Sequence, residues 1–358
     1  MRFITILALV LANTLVSAGP AAAKPPKTAF FFADDKRLQY TGRIDFSDAK
    51  KPRFWAPGVY VTARFRGPSC AVVVHDELRY GTDHNYVVLA VDGVATRQRL
   101  AGRTDTLRVA GLAAGPHTLV LCKATETGQG YLELVGLRCA RLLPPPPRPT
   151  RRLECIGNSI TCGTGSDLSV APCGQGKWYD QHNAYQAYGP RTARALGAEW
   201  QLTAVSGIGL MHSCCDMKTV MPEVFDRLNP GDKASPAWDF RRYQPDVVTI
   251  CLGQNDGVQD SVAFCGRYLA FLKTVRAAYP AAHLVCLSSP MADAVLTAVL
   301  HRYLTGVVAA ANAGGDAGVH KYFFSRRFSS GCGTHPDLAE HQLIAQELTA
   351  FLKQTMHW

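Results

Sequence analysis

The chain has 358 residues, of which 47% are hydrophobic and 18% charged, and its formal net charge is +10. That length suits two domains, each with its own core, and the composition excludes a disordered or fibrous chain. Lys and Arg are scattered, apart from the clusters Arg148-Pro149-Thr150-Arg151-Arg152 and Arg326-Arg327. No basic helix or run of interleaved aromatics follows from this, so a solvated basic surface is expected and a nucleic-acid partner is not.

The chain opens with a basic residue, Arg2, then an apolar run, then the small residues Ala21-Ala22-Ala23. This order reads as a secretory signal over residues 1–23, cleaved near Ala23, and predicts a secreted or periplasmic protein. The apolar run is short for a membrane anchor, and no later segment is expected to cross a bilayer. Twelve cysteines in an exported chain make disulfides plausible. Cys162 and Cys173 flank a short polar loop and are the first pair to consider, whereas Cys155, Cys251 and Cys286 lie in apolar runs and suit burial as small hydrophobes. Nothing supplies zinc-ligand spacing, the adjacent Cys214-Cys215 included, so no metal is expected.

Residues 27–143 show short alternating or apolar runs separated by turn residues: Val59 to Phe65, Ala71 to Val74, Tyr86 to Val91, and His117 to Cys122 after Gly115-Pro116. Period-two patterning with Gly, Pro and Asp punctuation predicts an antiparallel β-sandwich. Residues 144–150, with Pro144 to Pro147 and Pro149, form an extended, semi-rigid linker, because consecutive prolines cannot join a helix or an inner strand.

Over 151–358 the texture changes to strand, then helix, repeated. Leu153 to Ile156, Trp200 to Val205, Asp246 to Leu252 and Leu284 to Leu287 suit buried parallel strands. Amphipathic stretches separate them at Tyr185 to Leu196, Ser261 to Tyr279, Ala294 to Ala311 and Leu338 to Thr355. The alternation predicts a doubly wound α/β domain with a central parallel sheet, in which active residues collect beyond the carboxyl ends of the strands.

Three turns meet that condition: Gly157-Asn158-Ser159-Ile160-Thr161, Ser206-Gly207-Ile208-Gly209 and Gly253-Gln254-Asn255-Asp256. Thr334-His335-Pro336-Asp337 follows near the end of the chain. Ser159 directly after a buried strand can present its hydroxyl to the crevice, but a hydroxyl needs a base to become a nucleophile. His335 is the natural base, since imidazole titrates near neutrality and can return the proton to a leaving alcohol. The Ser159 and Gly207 backbone N–H groups and the Asn255 side chain can converge on an oxyanion. Trp178 is a candidate sugar-stacking residue, Tyr185 is expected to pack on its helix, and Asp256 to orient its loop. His212 and His320 read as structural or exposed.

With these blocks in order, the chain resembles the SGNH (GDSL-type) hydrolase superfamily and, within it, the acetylxylan esterases of carbohydrate esterase family 2. The resemblance takes in Cys155-Ile156-Gly157-Asn158-Ser159, Val205-Ser206-Gly207-Ile208-Gly209, Trp238-Asp239-Phe240, Leu252-Gly253-Gln254-Asn255-Asp256 and His335-Pro336 with His341-Gln342. In the first domain Tyr40-Thr41-Gly42-Arg43, Pro57-Gly58, Asn85-Tyr86, Asp92-Gly93 and Thr125-Glu126 look like the family's jelly roll. The resemblance implies a cofactor-free serine esterase acting on O-acetylated polysaccharide, with Ser159 as nucleophile, His335 as base, and Ser159, Gly207 and Asn255 as oxyanion hole. A general short-chain or lipid esterase, or a carbohydrate-binding protein with a weakened site, are the alternatives.

The chain departs from the pattern in two ways. Asn158 stands where the superfamily usually has Asp. Cys332 and Gly333 occupy the places, three and two residues before the base, where a triad acid belongs. Asp337 is a candidate acid, but directly after Pro336 it suits a helix cap better. A Ser–His dyad with a backbone carbonyl behind the imidazole is therefore expected.

Overall fold

The computed structural model describes residues 27–358; the expected signal segment lies outside them. The first domain is an antiparallel β-sandwich of nine strands, wrapped around a core that includes Phe54, Val61, Phe65, Val72, Leu89, Leu119 and Leu137. Its backbone is one long strand, Tyr60–Asp76. The Gly67-Pro68 punctuation suggests two separate strands, yet here it marks a register shift against Leu132–Leu143 rather than a chain reversal. A bulge of this kind bends a strand without ending it, so one strand pairs with different neighbours along its length.

The linker has no regular structure. It is held to both sides, with Gln39 donating to the Pro146 carbonyl at 2.8 Å and Arg148 donating to Thr41, the Tyr40 carbonyl and Glu199.

The second domain contains a five-stranded parallel sheet ordered Ala198–Ala204, Arg151–Gly157, Val247–Cys251, His283–Leu287, Val319–Tyr322. The strand that enters the sheet first lies second in it, between two later ones. That makes its carboxyl end the switch point where a crevice opens. Helices Tyr188–Ala195 and Leu338–Met356 pack together, as do Ser261–Ala278 and Ala294–Ala313. Cys155, Cys251 and Cys286 are buried free thiols in these strands. The edge strand Val319–Tyr322 escapes a sequence reading because only Val319 of its VHKY residues is fully buried and no apolar run results.

Ala294–Ala313 has the length and the mean hydropathy, 1.5, of a membrane span. Here it is an amphipathic layer helix, with Leu296, Leu300, Tyr303, Leu304 and Val307 buried on one side and alanines raising the hydropathy of the other.

The two domains share a core. Tyr60, Tyr86, Val88 and Cys122 of the sandwich pack with Tyr185, Tyr188, Trp200 and Leu202 of the second domain. The Tyr60 and Trp200 rings stack with centroids 4.0 Å apart, and the Trp200 indole N–H donates to the Gly58 carbonyl at 2.9 Å. Gly58 has a left-handed φ of +71°, and a Cβ there would stand 2.7 Å from Leu202, so only glycine permits this approach. Fully buried Arg43 reaches across to Glu154 at 3.4 Å and donates to the Phe225 and Arg227 carbonyls. Removing one member of such a pair strands the other's charge, at a cost of about 3–5 kcal/mol.

Candidate active site

The switch-point strand ends at Gly157, and the chain turns at once into the single-turn helix Ser159–Cys162. Asn158 caps that helix, its side-chain oxygen accepting from the Ile160 N–H at 3.2 Å. The amide therefore does a cap's work although it lacks the charge of the usual Asp. At Gly157 a Cβ would fall 2.1 Å from the Thr161 hydroxyl, so the turn closes only around glycine. Ser159 is thus set at the first position of the helix, buried but lining a cavity of about 730 Å³.

His335 reaches the same cavity from the last loop. Its Nε2 lies 2.8 Å from the Ser159 Oγ, and its Nδ1 lies 3.0 Å from the Cys332 carbonyl oxygen. A carbonyl can only accept, so Nδ1 carries the proton and Nε2 is left to accept from the serine. Burial pulls the imidazole below its ordinary pKa of 6.5, and the backbone hydrogen bonds to Cys332 and Gly333 only partly offset this. The ring is neutral at neutral pH. Asp337 caps the final helix, accepting from the Glu340 N–H at 2.8 Å.

Gly207 and Asn255 line the cavity too. Gly207 takes a φ of +82° beside Cys214. The Asn255 amide donates one hydrogen to the Ile208 carbonyl at 2.8 Å, which ties the two loops together and leaves a second hydrogen free to face the crevice. Asp256 accepts from the Leu210, Met211 and His212 backbone N–H groups, so it shapes the Gly207 loop from below. The cavity therefore brings together all four blocks picked out in the sequence.

Trp178 is half-exposed at the cavity wall, its ring centroid 6.0 Å from that of His335. Tyr185 packs against Trp200 under the Arg194 guanidinium instead of facing the cavity. His212 is exposed, and His320 pairs with His283 at 2.9 Å, away from the cavity lining.

The cavity also holds a residue that the sequence reading names only within the Thr125-Glu126 block of the jelly-roll resemblance, with no role at the site. Glu126 arrives from the sandwich domain and accepts from the Trp178 indole N–H at 3.2 Å and the Ser206 backbone N–H at 3.1 Å. Beneath it, fully buried Lys123 donates to the Thr125 and Glu126 carbonyls at 2.9 and 2.8 Å, and burial pulls its pKa down to about 7. Residue order alone gives Glu126 no role at the site, because its partners are 52 and 80 residues away.

The cysteines differ from expectation. Cys173 pairs with Cys332, not with Cys162. Cys162 closes the serine helix with its side chain buried, while Cys173 sits on an exposed loop, so short sequence spacing did not bring them together. Cys214 and Cys215 form a second disulfide, between adjacent residues, and both line the cavity. Among the described residues no group of three or more His, Cys, Asp or Glu could hold a metal.

Residues 40–146 match the Carbohydrate esterase 2 N-terminal family, and residues 155–322 match the GDSL-like Lipase/Acylhydrolase family. The cellulase/esterase CelE of Acetivibrio thermocellus is 34% identical over 91% of this chain, which spans 40% of that protein's length. An acetylxylan esterase / glucomannan deacetylase of Cellvibrio japonicus is 27% identical, with 91% of each chain aligned. A family two carbohydrate esterase from Clostridium thermocellum, solved in complex with cellohexaose, superimposes with a TM-score of 0.81 at 32% identity, covering 90% of this chain and 99% of that one. On two domain matches and this shared architecture, the chain is a member of carbohydrate esterase family 2, built on the GDSL-type hydrolase fold.

Proposed function

We propose that this protein is a secreted serine esterase that removes O-acetyl groups from polysaccharides such as xylan or glucomannan, using a Ser159–His335 dyad. The observation that carries the reading is the relay itself: Oγ to Nε2 at 2.8 Å and Nδ1 to a backbone carbonyl at 3.0 Å. His335 takes the serine proton as Oγ attacks the acetyl carbonyl, and the Ser159 and Gly207 N–H groups with the Asn255 amide receive the oxyanion. The imidazolium then protonates the departing sugar alkoxide, leaving an acetyl-serine. Water, deprotonated by the same imidazole, hydrolyses it. No cofactor enters.

Several features support the substrate class. Glu126 takes the Trp178 indole N–H and leaves the ring at the cavity wall, where a flat apolar surface suits a sugar face. One named relative is an acetylxylan esterase / glucomannan deacetylase, and one solved relative holds cellohexaose. Export rests on the residue order of the first 23 positions.

The test is turnover of acetylated xylan and glucomannan by wild type and Ser159→Ala, beside triglyceride and short acyl esters. Acetate release from the polysaccharides should fall by about 10⁴-fold or more in the variant. Equal inertness with retained polysaccharide binding would make the protein a binding module, and turnover of lipid esters alone would make it a lipase. Cell fractionation should find the protein outside the cytosol with its N-terminus near Lys24; protein confined to the cytosol with Met1 intact would overturn export.

A further inference from the structure

We propose that the Cys173–Cys332 disulfide is a positioning element for the base: it holds the Cys332 carbonyl that replaces the triad acid. This rests on the reading of His335 as the base.

A carboxylate side chain aims itself through its own rotamer, but a backbone carbonyl points wherever its peptide plane is held. The plane in question joins Cys332 to Gly333, in a tight turn where Gly333 and Thr334 both take a φ of +59°. Left-handed backbone at Thr334 is disfavoured and persists only where the surroundings impose it. Within the turn, the Gly331 N–H donates to the His335 carbonyl at 2.7 Å, and the His335 N–H to the Cys332 carbonyl at 3.2 Å. The side chains of the turn give no grip, since Gly333 has none and Thr334 is exposed, its hydroxyl donating to the adjacent Gly333 carbonyl. Cys332 supplies the outward attachments: its N–H donates to the Gly165 carbonyl at 2.8 Å, and its sulfur is bonded to Cys173.

The far end of the bond is anchored. The side-chain amide of buried Gln181 reaches the carbonyls of Ala171, Pro172 and Gln175 at 3.3, 3.3 and 3.0 Å, gathering the loop around Cys173. That loop leaves the serine helix at Gly163 and ends at Trp178, so the crosslink joins the nucleophile's side of the cavity to the base's side. Gly165 makes the fit close, because a Cβ there would stand 2.5 Å from the Cys332 carbonyl oxygen.

The experiment compares wild type with Cys173→Ser, using an acetylated oligosaccharide at a temperature where circular dichroism shows both fully folded. Misaiming a catalytic group by about 1 Å costs about 10²-fold, so kcat should fall between about tenfold and a hundredfold while KM stays within about twofold. The downfield proton resonance of the His335 Nδ1–H should broaden or vanish, which loss of stability alone would not cause in a folded sample. If Cys173→Ser does not fold, protein carrying Cys214→Ser and Cys215→Ser is assayed before and after reduction by a phosphine, with Cys173–Cys332 as its disulfide. The same fall in kcat is expected. Unchanged kcat and an unchanged Nδ1–H resonance in folded, reduced protein would overturn the proposal. Full activity in Ser159→Ala would instead overturn the reading of the site on which it rests.

Discussion

The two halves of the relay are supported in opposite ways. Ser159 rests on regular structure: a central strand, a glycine turn and a capped helix, all buried. His335 rests on an irregular turn with two left-handed residues and exposed neighbours, tied outward through Cys332 by a backbone hydrogen bond to Gly165 and a crosslink to Cys173. A nucleophile placed by the sheet inherits the sheet's rigidity, whereas a base placed by a loop needs attachments of its own. Where most such loops would carry a carboxylate, this one carries a sulfur bridge and a carbonyl.

Crowding the turn that carries the base should expose this asymmetry most strongly, and Gly165, across from Cys332, is the place to do it. Gly165→Ala adds a methyl 2.5 Å from the Cys332 carbonyl oxygen on a backbone with φ +67°. The carbonyl must move, and kcat should drop by about tenfold or more with the Ser159 helix intact. Steady-state kinetics beside an unchanged crystal position for Ser159 would check this.

A smaller effect is expected from restoring a carboxylate. The wild-type acid limb of kcat/KM should lie below pH 6.5, because burial favours the neutral imidazole and the base stays deprotonated to lower pH. At position 333 a Cβ would sit 3.5 Å from the His335 Nδ1, within reach for an aspartate. Gly333→Asp should move the acid limb upward by about one unit, since a nearby negative charge favours the protonated ring. A limb that stays in place would show that the new side chain does not engage the imidazole.

Asp337→Ala should do least. Losing the cap should lower stability by about 1 kcal/mol and leave kcat within about twofold. A collapse of turnover in folded Asp337→Ala would make that residue the missing acid and end the dyad reading.

Much of this was legible from residue order. The four apolar runs ending at Ile156, Val205, Leu252 and Leu287 define buried strands because both their faces are covered, even at the Ala198–Ala204 edge, so burial writes itself into uninterrupted apolar sequence. Ser159, Gly207 and Asn255 follow from those strand ends, and His335 from its place on the last loop. The unread parts depend on pairings that no local pattern encodes. Glu126 gains its meaning only once the sandwich folds onto Ser206 and Trp178. Cys332 finds its partner 159 residues away. The long strand Tyr60–Asp76 hides behind Gly67-Pro68 because a bulge and a turn use the same residues.

The stack of Tyr60 on Trp200 carries a lesson for anyone recutting this chain. The proline run at 144–149 invites a scalpel, yet the parts on either side are not interchangeable cassettes. Swapping in a foreign sandwich would bare Trp200 and Glu154, strip the Ser206 loop of Glu126, and leave an insoluble half with a slack crevice.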